Sequence, residues 1–336
     1  MNCQEFNPRS SEEWLPALQR DGYVILAVPQ HITELSTAVF DCFAEFNQRS
    51  DEDKAKFSLV PHDEGDNNGW HPCGGLSKYN QCREGYIFQA TSAIWPMLST
   101  NRDCPPDAFS TIHQHWRQEV YVFVTSLLTD LATYLDIPHP ASFFSSNGTF
   151  DVISASQFHI KNTPVMTQIE TNEHMPSTTS AGHFITLPAH RDPTLISIVL
   201  HNCHARGLEM QWPLEGTSLG YREVYTHDTP PGPERCVVIV GTLLERLSGG
   251  FFRAPYHRVV SIASQQREET RLAATFFFQP TLDSILAPFP STSIRTDTPN
   301  NTQVLCYRDW KRRAYGKYYK SSANKEKHRD NSVQVK

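Results

Sequence analysis

His190 and Asp192 stand two residues apart in Leu187-Pro188-Ala189-His190-Arg191-Asp192-Pro193-Thr194. On an extended or gently bent strand, side chains two apart share a face, so this pair offers an imidazole nitrogen and a carboxylate oxygen to one ion. His257, in Pro255-Tyr256-His257-Arg258-Val259-Val260, offers a third ligand at the head of a later strand. Two histidines and one carboxylate on one face of an octahedral ion leave three positions open. That is the arrangement of non-haem Fe(II) oxygenases, where O₂ and a bidentate co-substrate bind side by side. A His-x-Asp pair alone is a weak signal in a chain with 15 histidines. Its ordinary reading is a surface ion pair or a turn cap, and that of His257 is a core histidine bonded to backbone.

Arg271 opens the run Leu272-Ala273-Ala274-Thr275-Phe276-Phe277-Phe278. Strand alternation puts Arg271, Ala273, Thr275 and Phe277 on one face, which points the guanidinium into a barrel. A buried guanidinium is costly unless paired, and its fixed fork of donors suits a carboxylate, such as the distal one of 2-oxoglutarate. The ordinary alternative is a salt bridge to Glu268 or Glu269. Phe277, by its facing, is a candidate substrate-pocket wall, while the neighbouring phenylalanines read as core. His183 reads as structural or supporting rather than as a ligand.

The elements that must position these residues change character near residue 150. Before it the pattern is mainly helical: an apolar face of Trp14, Leu15 and Leu18 stopped by Gly22, a second amphipathic helix over 33–46, and a long one over 109–135. Residues 23–28 read as a buried strand, and the Gly/Asn/Asp-rich stretch 61–75 as a candidate lid or pocket wall. After it come short runs at 156–160, 194–200, 208–212, 222–225, 236–240, 257–262 and 272–278, separated by Pro, Gly and Asn clusters. That spacing predicts an all-β sandwich or barrel, and a jelly roll accommodates the count. Residues 307–319 read as a packed helix, followed by a basic tail.

Composition narrows the function class. A formal charge of -6 over 336 residues argues against a protein that neutralises nucleic-acid phosphates, and favours a small-molecule partner. The 8 cysteines form no C-x-x-C pair, so neither a zinc finger nor a disulfide framework is suggested, and a cytoplasmic setting is expected. No apolar run approaches the roughly 20 residues of a membrane span, so no membrane partner is expected. The sequence carries no signal for an oligomeric state.

With these residues in view, the chain resembles the isopenicillin N synthase-like family of Fe(II)/2-oxoglutarate-dependent dioxygenases. In that family one His-x-Asp, a distant His and an Arg on the last core strand recur in this order. The segment Gly241-Thr242-Leu243-Leu244-Glu245-Arg246-Leu247-Ser248-Gly249-Gly250 is similar to the family's Gly-Asp-Leu-Leu-x-x-Leu-Thr-Asn-Gly. Gly207-Leu208-Glu209-Met210 is similar to its Gly-Leu-Gln-Val strand, and Arg83-Glu84-Gly85-Tyr86-Ile87-Phe88 to its Lys-Glu-x-Phe-x-Phe segment. The resemblance implies a mainly β fold with flanking helices around a double-stranded β-helix (jelly-roll) core. It divides the chain into a helical and mixed region at 1–149, the dioxygenase core at 150–281, and a C-terminal helical extension with basic tail at 282–336. It implies Fe(II) held by His190, Asp192 and His257, the 2-oxoglutarate C5 carboxylate held by Arg271, and O₂ as the second co-substrate. The implied activity is oxidation of a small organic metabolite by hydroxylation, desaturation or rearrangement, in specialised metabolism.

Three positions depart from the family pattern. Arg271-Leu272-Ala273 replaces Arg-x-Ser, so the hydroxyl that usually helps hold the carboxylate is missing. Thr163, in Lys161-Asn162-Thr163-Pro164, stands where a tyrosine often touches the keto acid, and Thr242 replaces an aspartate. Two other readings therefore stay open: an iron oxidase of the same fold that works without 2-oxoglutarate, and an inactive ligand-binding jelly roll.

Overall fold

The structure is a computed structural model. It describes residues 4–58, 69–73, 83–89, 108–163, 178–202, 206–214, 220–261, 271–291 and 305–313, with side chains from residue 114 onward in the long helix. Most of the stretch 61–75, the second half of the helix expected over 307–319, and Glu268 and Glu269 lie outside the described residues.

The chain opens with β1 (Glu5–Phe6), α1 (Ser11–Asp21), β2 (Tyr23–Ala27), α2 (Gln30–Asn47), α3 (Asp51–Ala55), β3 (Gly69–His71), β4 (Glu84–Gln89), α4 (Ala108–Tyr134) and α5 (Pro140–Phe143). Gly22 closes α1 in the left-handed region at φ 75°, and its N–H donates to Leu18 O at 2.9 Å. Only a residue without Cβ takes that conformation at no steric cost. The following strands are β5 (Gln157–Thr163), β6 (Phe184–His190), β7 (Ile196–His201), β8 (Leu208–Trp212), β9 (Gly220–Glu223) and β10 (Arg235–Val240). After α6 (Thr242–Leu247) come β11 (His257–Ser261), β12 (Arg271–Phe278), β13 (Ile285–Leu286) and β14 (Leu305–Cys306). Residues 307–313 are helical.

Two sheets face each other. The larger runs β1-β2-β10-β7-β12-β5-β4-β3 and the smaller β6-β11-β8-β9, the double-stranded β-helix expected from the sequence. Alternation along β12 sorts the interior into two cores. Leu272, Ala274, Phe276 and Phe278 turn outward to the helices, where Trp116 of α4 meets Phe158 at 5.0 Å and Phe276 at 5.2 Å between ring centroids. Ala273 turns inward with Val199, Val237 and Ile239, against Leu187, Leu208, Met210 and Val259 of the smaller sheet.

Two details go beyond the expectation. Most of the described N-terminal region is helical, as expected, but β1 to β4 also join the larger sheet. In β4, Tyr86 and Phe88 pack outward while Gly85 and Ile87 face inward, an alternation too short to stand out from its loop-rich surroundings. β6 was not among the expected strands, because Pro188 interrupts it. It is an edge strand of the smaller sheet, where a residue without N–H is tolerated.

Candidate metal centre

β6 and β11 pair antiparallel with His190 directly opposite His257, so both imidazoles stand at one end of the smaller sheet. Their ring centroids are 4.2 Å apart. β6 ends at His190, so Asp192 is not on the strand as its spacing suggested. It lies in the turn that carries the chain from the smaller sheet to the larger one, next to Pro193. The Asp192 carbonyl accepts two bonds from Thr242, from the backbone N–H at 2.8 Å and from Oγ1 at 3.2 Å. Gly241 fits because its backbone packs against Thr194: a Cβ there would lie 1.9 Å from Thr194 O. Thr242, one of the three departures from the family pattern, thus anchors the turn that bears the carboxylate.

Asp192 Oδ1 lies 3.5 Å from His190 Nε2 and 3.6 Å from His257 Nε2, and one donor atom from each residue falls within 4.8 Å of the other two. The tautomers follow from the backbone. His190 Nδ1 donates to Pro188 O at 2.9 Å and His257 Nδ1 to Pro255 O at 3.5 Å, which turns both Nε2 lone pairs toward Asp192. Burial, helped by the charge of His190, lowers His257 to about 4, so it is a neutral ligand near pH 7. Burial alone would raise Asp192, but His257, His190 and a hydrogen bond from Ser197 together hold it below the usual carboxylate range. The His190 and His257 imidazoles with one ionised carboxylate form the donor set of a divalent ion. His183 is not part of this group.

Arg271 faces the same interior. Its Nη2 donates to His201 Nε2 at 2.9 Å and its Nε donates to Arg206 O at 3.2 Å. Because a guanidinium only donates, His201 Nε2 must accept, and its Nδ1–H then donates to Tyr225 Oη at 2.8 Å. Burial lowers Arg271 to about 10 and lowers His201 well below its ordinary value, which keeps the imidazole neutral. No carboxylate pairs with Arg271 among the described residues. Thr163, its register partner on β5, has a buried Oγ1 with no hydrogen-bond partner among the described residues. Phe277, six residues further along β12 toward the triad end, rests its ring edge-on against His159 at 4.7 Å.

His201 and Tyr225 were not singled out from sequence, nor were Lys161, His159 and His71, which share the interior wall. The available signal was alternation: in Phe158-His159-Ile160-Lys161 the apolar residues face the helices, which commits the basic ones to the inside.

Comparison with known proteins follows the same lines. A model described as the 2OG-Fe(II) oxygenase superfamily matches residues 165–280, a span that contains the triad and Arg271. A flavonol synthase/flavanone 3-hydroxylase from Eustoma exaltatum subsp. russellianum is 21% identical over 238 residues, covering 70% of this chain and 62% of that relative. This chain therefore spans less than two thirds of the relative's length. Among solved structures, a full-length Neurospora crassa protein in complex with alpha-KG superposes with TM-score 0.69 at 16% identity, over 93% of this chain and 91% of that one. The dioxygenase for auxin oxidation (DAO) in rice gives TM-score 0.69 at 16% identity, over 94% and 96%.

Proposed function

We propose that the chain, whose residues 165–280 match the 2OG-Fe(II) oxygenase superfamily model, is an Fe(II)/2-oxoglutarate-dependent dioxygenase of a small organic metabolite. The observation that carries this reading is the convergence of His190, Asp192 and His257 within 4.8 Å, with both Nε2 atoms turned inward. The donor set suits ferrous ion, and these three side chains are its proposed ligands. When bound, the ion supplies O₂ chemistry at the positions that two histidines and one carboxylate leave open.

The rest of the work falls to the chain's own groups. Arg271 is proposed to hold the C5 carboxylate of 2-oxoglutarate. The support is a guanidinium without a carboxylate partner among the described residues, lying across from the orphaned Thr163 hydroxyl. His201, itself held by Tyr225, and the Arg206 carbonyl hold the guanidinium fork from behind, in the absence of a hydroxyl at position 273. Phe277 is proposed as a wall of the substrate pocket, where an apolar ring excludes water from the reacting carbon. The overall balance is substrate, 2-oxoglutarate and O₂ giving oxidised substrate, succinate and CO₂. Hydroxylation is the default outcome, with desaturation and rearrangement as its variants.

Flavonoid and auxin chemistry in the relatives' names supports a small organic substrate and a place in specialised metabolism. The proposed division is a helical and mixed region at 1–149, the catalytic core at 150–281 and a C-terminal extension at 282–336. Among the described residues no helix is long and apolar enough to cross a membrane. The free thiols of Cys42, Cys236 and Cys306 support a cytoplasmic setting.

Anaerobic titration of the full-length protein with Fe(II) and 2-oxoglutarate tests the reading. A visible metal-to-ligand charge-transfer band is expected in wild type and not in His190→Ala. Arg271→Ala should keep iron binding while raising the 2-oxoglutarate requirement. An oxidase that works without 2-oxoglutarate would instead turn over substrate with no succinate released.

A further inference from the structure

The inner face of the larger sheet carries a second basic station. Lys161 of β5 is buried, and its side chain passes over Gly85 of β4 to reach His71 of β3, where Nζ donates to His71 Nε2. The direction of that bond is fixed because His71 Nδ1 donates to Pro72 O at 3.2 Å, leaving Nε2 to accept. Gly85 is required there: a Cβ would lie 2.5 Å from Lys161 Cδ and 3.3 Å from His71 Nε2. Arg83, also buried, stands close enough to lower Lys161, His71 and His159 further. His159, two residues before Lys161 on the same face, has a solvent-shielded Nε2 with no hydrogen-bond partner among the described residues.

Among the described residues Lys161 makes no ion pair. Glu84, beside Gly85 on β4, faces the other side of the strand, where it binds Lys54 at 2.8 Å and Asn162 at 3.0 Å. The carboxylate that His159 does feel is Asp192 of the triad. Burial first and Arg83 second lower Lys161 well below its ordinary value, so its charged form is disfavoured, and a carboxylate lying against Nζ would restore it.

The station is separate from Arg271. Lys161 pairs in register with Ala273, but its Nζ extends away from β12 across two strand spacings, roughly 10 Å. Arg83, not Arg271, is the cation that depresses it. His159 lies between the two regions, across β12 from Val199 of β7 and against Phe277. A substrate that touches the triad end and Phe277 thus presents its far end to His159 and Lys161.

We propose that Lys161, with Arg83, His71 and His159, binds a carboxylate of the primary substrate, so that the oxidised metabolite is a small organic acid anchored at the end remote from its reacting carbon. This rests on the dioxygenase reading for the identity of the reacting end. A carboxylate is favoured over phosphate because no helix N-terminus or glycine-rich loop among the described residues adds backbone donors at this wall.

Isothermal titration of the full-length chain, without iron or 2-oxoglutarate, tests it with phenylacetate, cinnamate and decanoate, each beside its primary amide. At least one acid is expected to bind tenfold or more tighter than its amide. Lys161→Met should bring that acid down to the amide's affinity, Lys161→Arg should keep most of the preference, and Arg271→Met should leave it intact. Lys161→Gln serves the same purpose where the methionine variant does not fold. Equal binding of acids and amides, no acid binding up to 10 mM, or loss of the preference in Arg271→Met rather than Lys161→Met overturns the proposal. The charge-transfer band reports separately on the enzyme. The band without an acid preference removes the station alone, and an acid preference without the band upholds the station while removing the dioxygenase reading.

Discussion

Ala273 of β12 lies directly across from His201 of β7, and His201 Nε2 is 2.9 Å from the Arg271 guanidinium. A methyl group at 273 cannot hold a carboxylate or the fork beside it, whereas the imidazole opposite can hold the fork. The pair therefore replaces a hydroxyl on the arginine's own strand with a ring from its neighbour. Outer partners that orient a metal ligand are worth about 10- to 100-fold in affinity or activity, and a partner that orients a guanidinium is expected to act on the same order. His201→Ala is expected to raise the KM for 2-oxoglutarate by about that factor while kcat and ferrous affinity stay near wild type. Adding Ala273→Ser to His201→Ala should recover part of the loss. An unchanged KM in the single variant would show that the imidazole does not support the fork.

The carboxylate of the triad depends on a backbone contact one element away. Gly241 packs its backbone on Thr194, and Thr242 then donates twice to the Asp192 carbonyl. Gly241→Ala must displace one of these segments, at a cost of about 1–3 kcal/mol in stability. It is expected to weaken Fe(II) binding by about tenfold or more. Thr242→Ala removes only the 3.2 Å side-chain bond, worth about 1 kcal/mol, and keeps the N–H bond. Ferrous titration of both variants should rank them in that order, and wild-type affinity in Gly241→Ala would remove the anchoring role.

The strands that fill the centre of the larger sheet were legible because they are continuous apolar or alternating runs: β7, β10 and β12 begin within two residues of their expected starts. The convergence of His190, Asp192 and His257 was legible from spacing and flanking residues. Its mechanics were not, since Asp192 sits in a turn set by Thr242, a contact 50 residues away in sequence. β6 was hidden by Pro188, which is compatible with a strand only at a sheet edge, and edges are defined by tertiary neighbours. His201 and Lys161 were hidden for a related reason. Each is one polar residue on a strand, and its meaning comes from the strand beside it.

Burial holds three imidazoles outside the triad in their neutral form: His71, lowered to about 2, and His159 and His201, both lowered well below the ordinary value. The unfolded chain protonates them near pH 6.5. Between that pH and the folded values the unfolded state binds more protons, so stability is fully present above about pH 6.5 and is lost as pH falls toward about 2. Each histidine contributes a slope of up to about 1.4 kcal/mol per pH unit. Urea unfolding at pH 7.5, 6.5 and 5.5 should show stability falling across the last interval. His71→Gln should make that fall shallower by about one histidine's share. A flat profile would mean that these rings titrate freely in the folded protein.

Phe276 and Phe277 are neighbours in sequence and belong to opposite sides of β12. Phe276 is fully buried between the sheet and the helices, with ring centroids 4.6 Å from Phe158 and 5.2 Å from Trp116. Phe277 faces the interior and meets His159. Phe276→Ala therefore opens a cavity in a close-packed aromatic cluster and is expected to cost about 3–5 kcal/mol by denaturant unfolding. Phe277→Ala removes a ring that is less enclosed and should cost about half as much or less. Its effect belongs to turnover: a substrate held less closely leaves more 2-oxoglutarate consumed per oxidised product, so the ratio of succinate to product should rise above that of wild type. Equal stability losses at the two positions, or an unchanged ratio in Phe277→Ala, would place both rings in the structural core and leave the pocket without that wall.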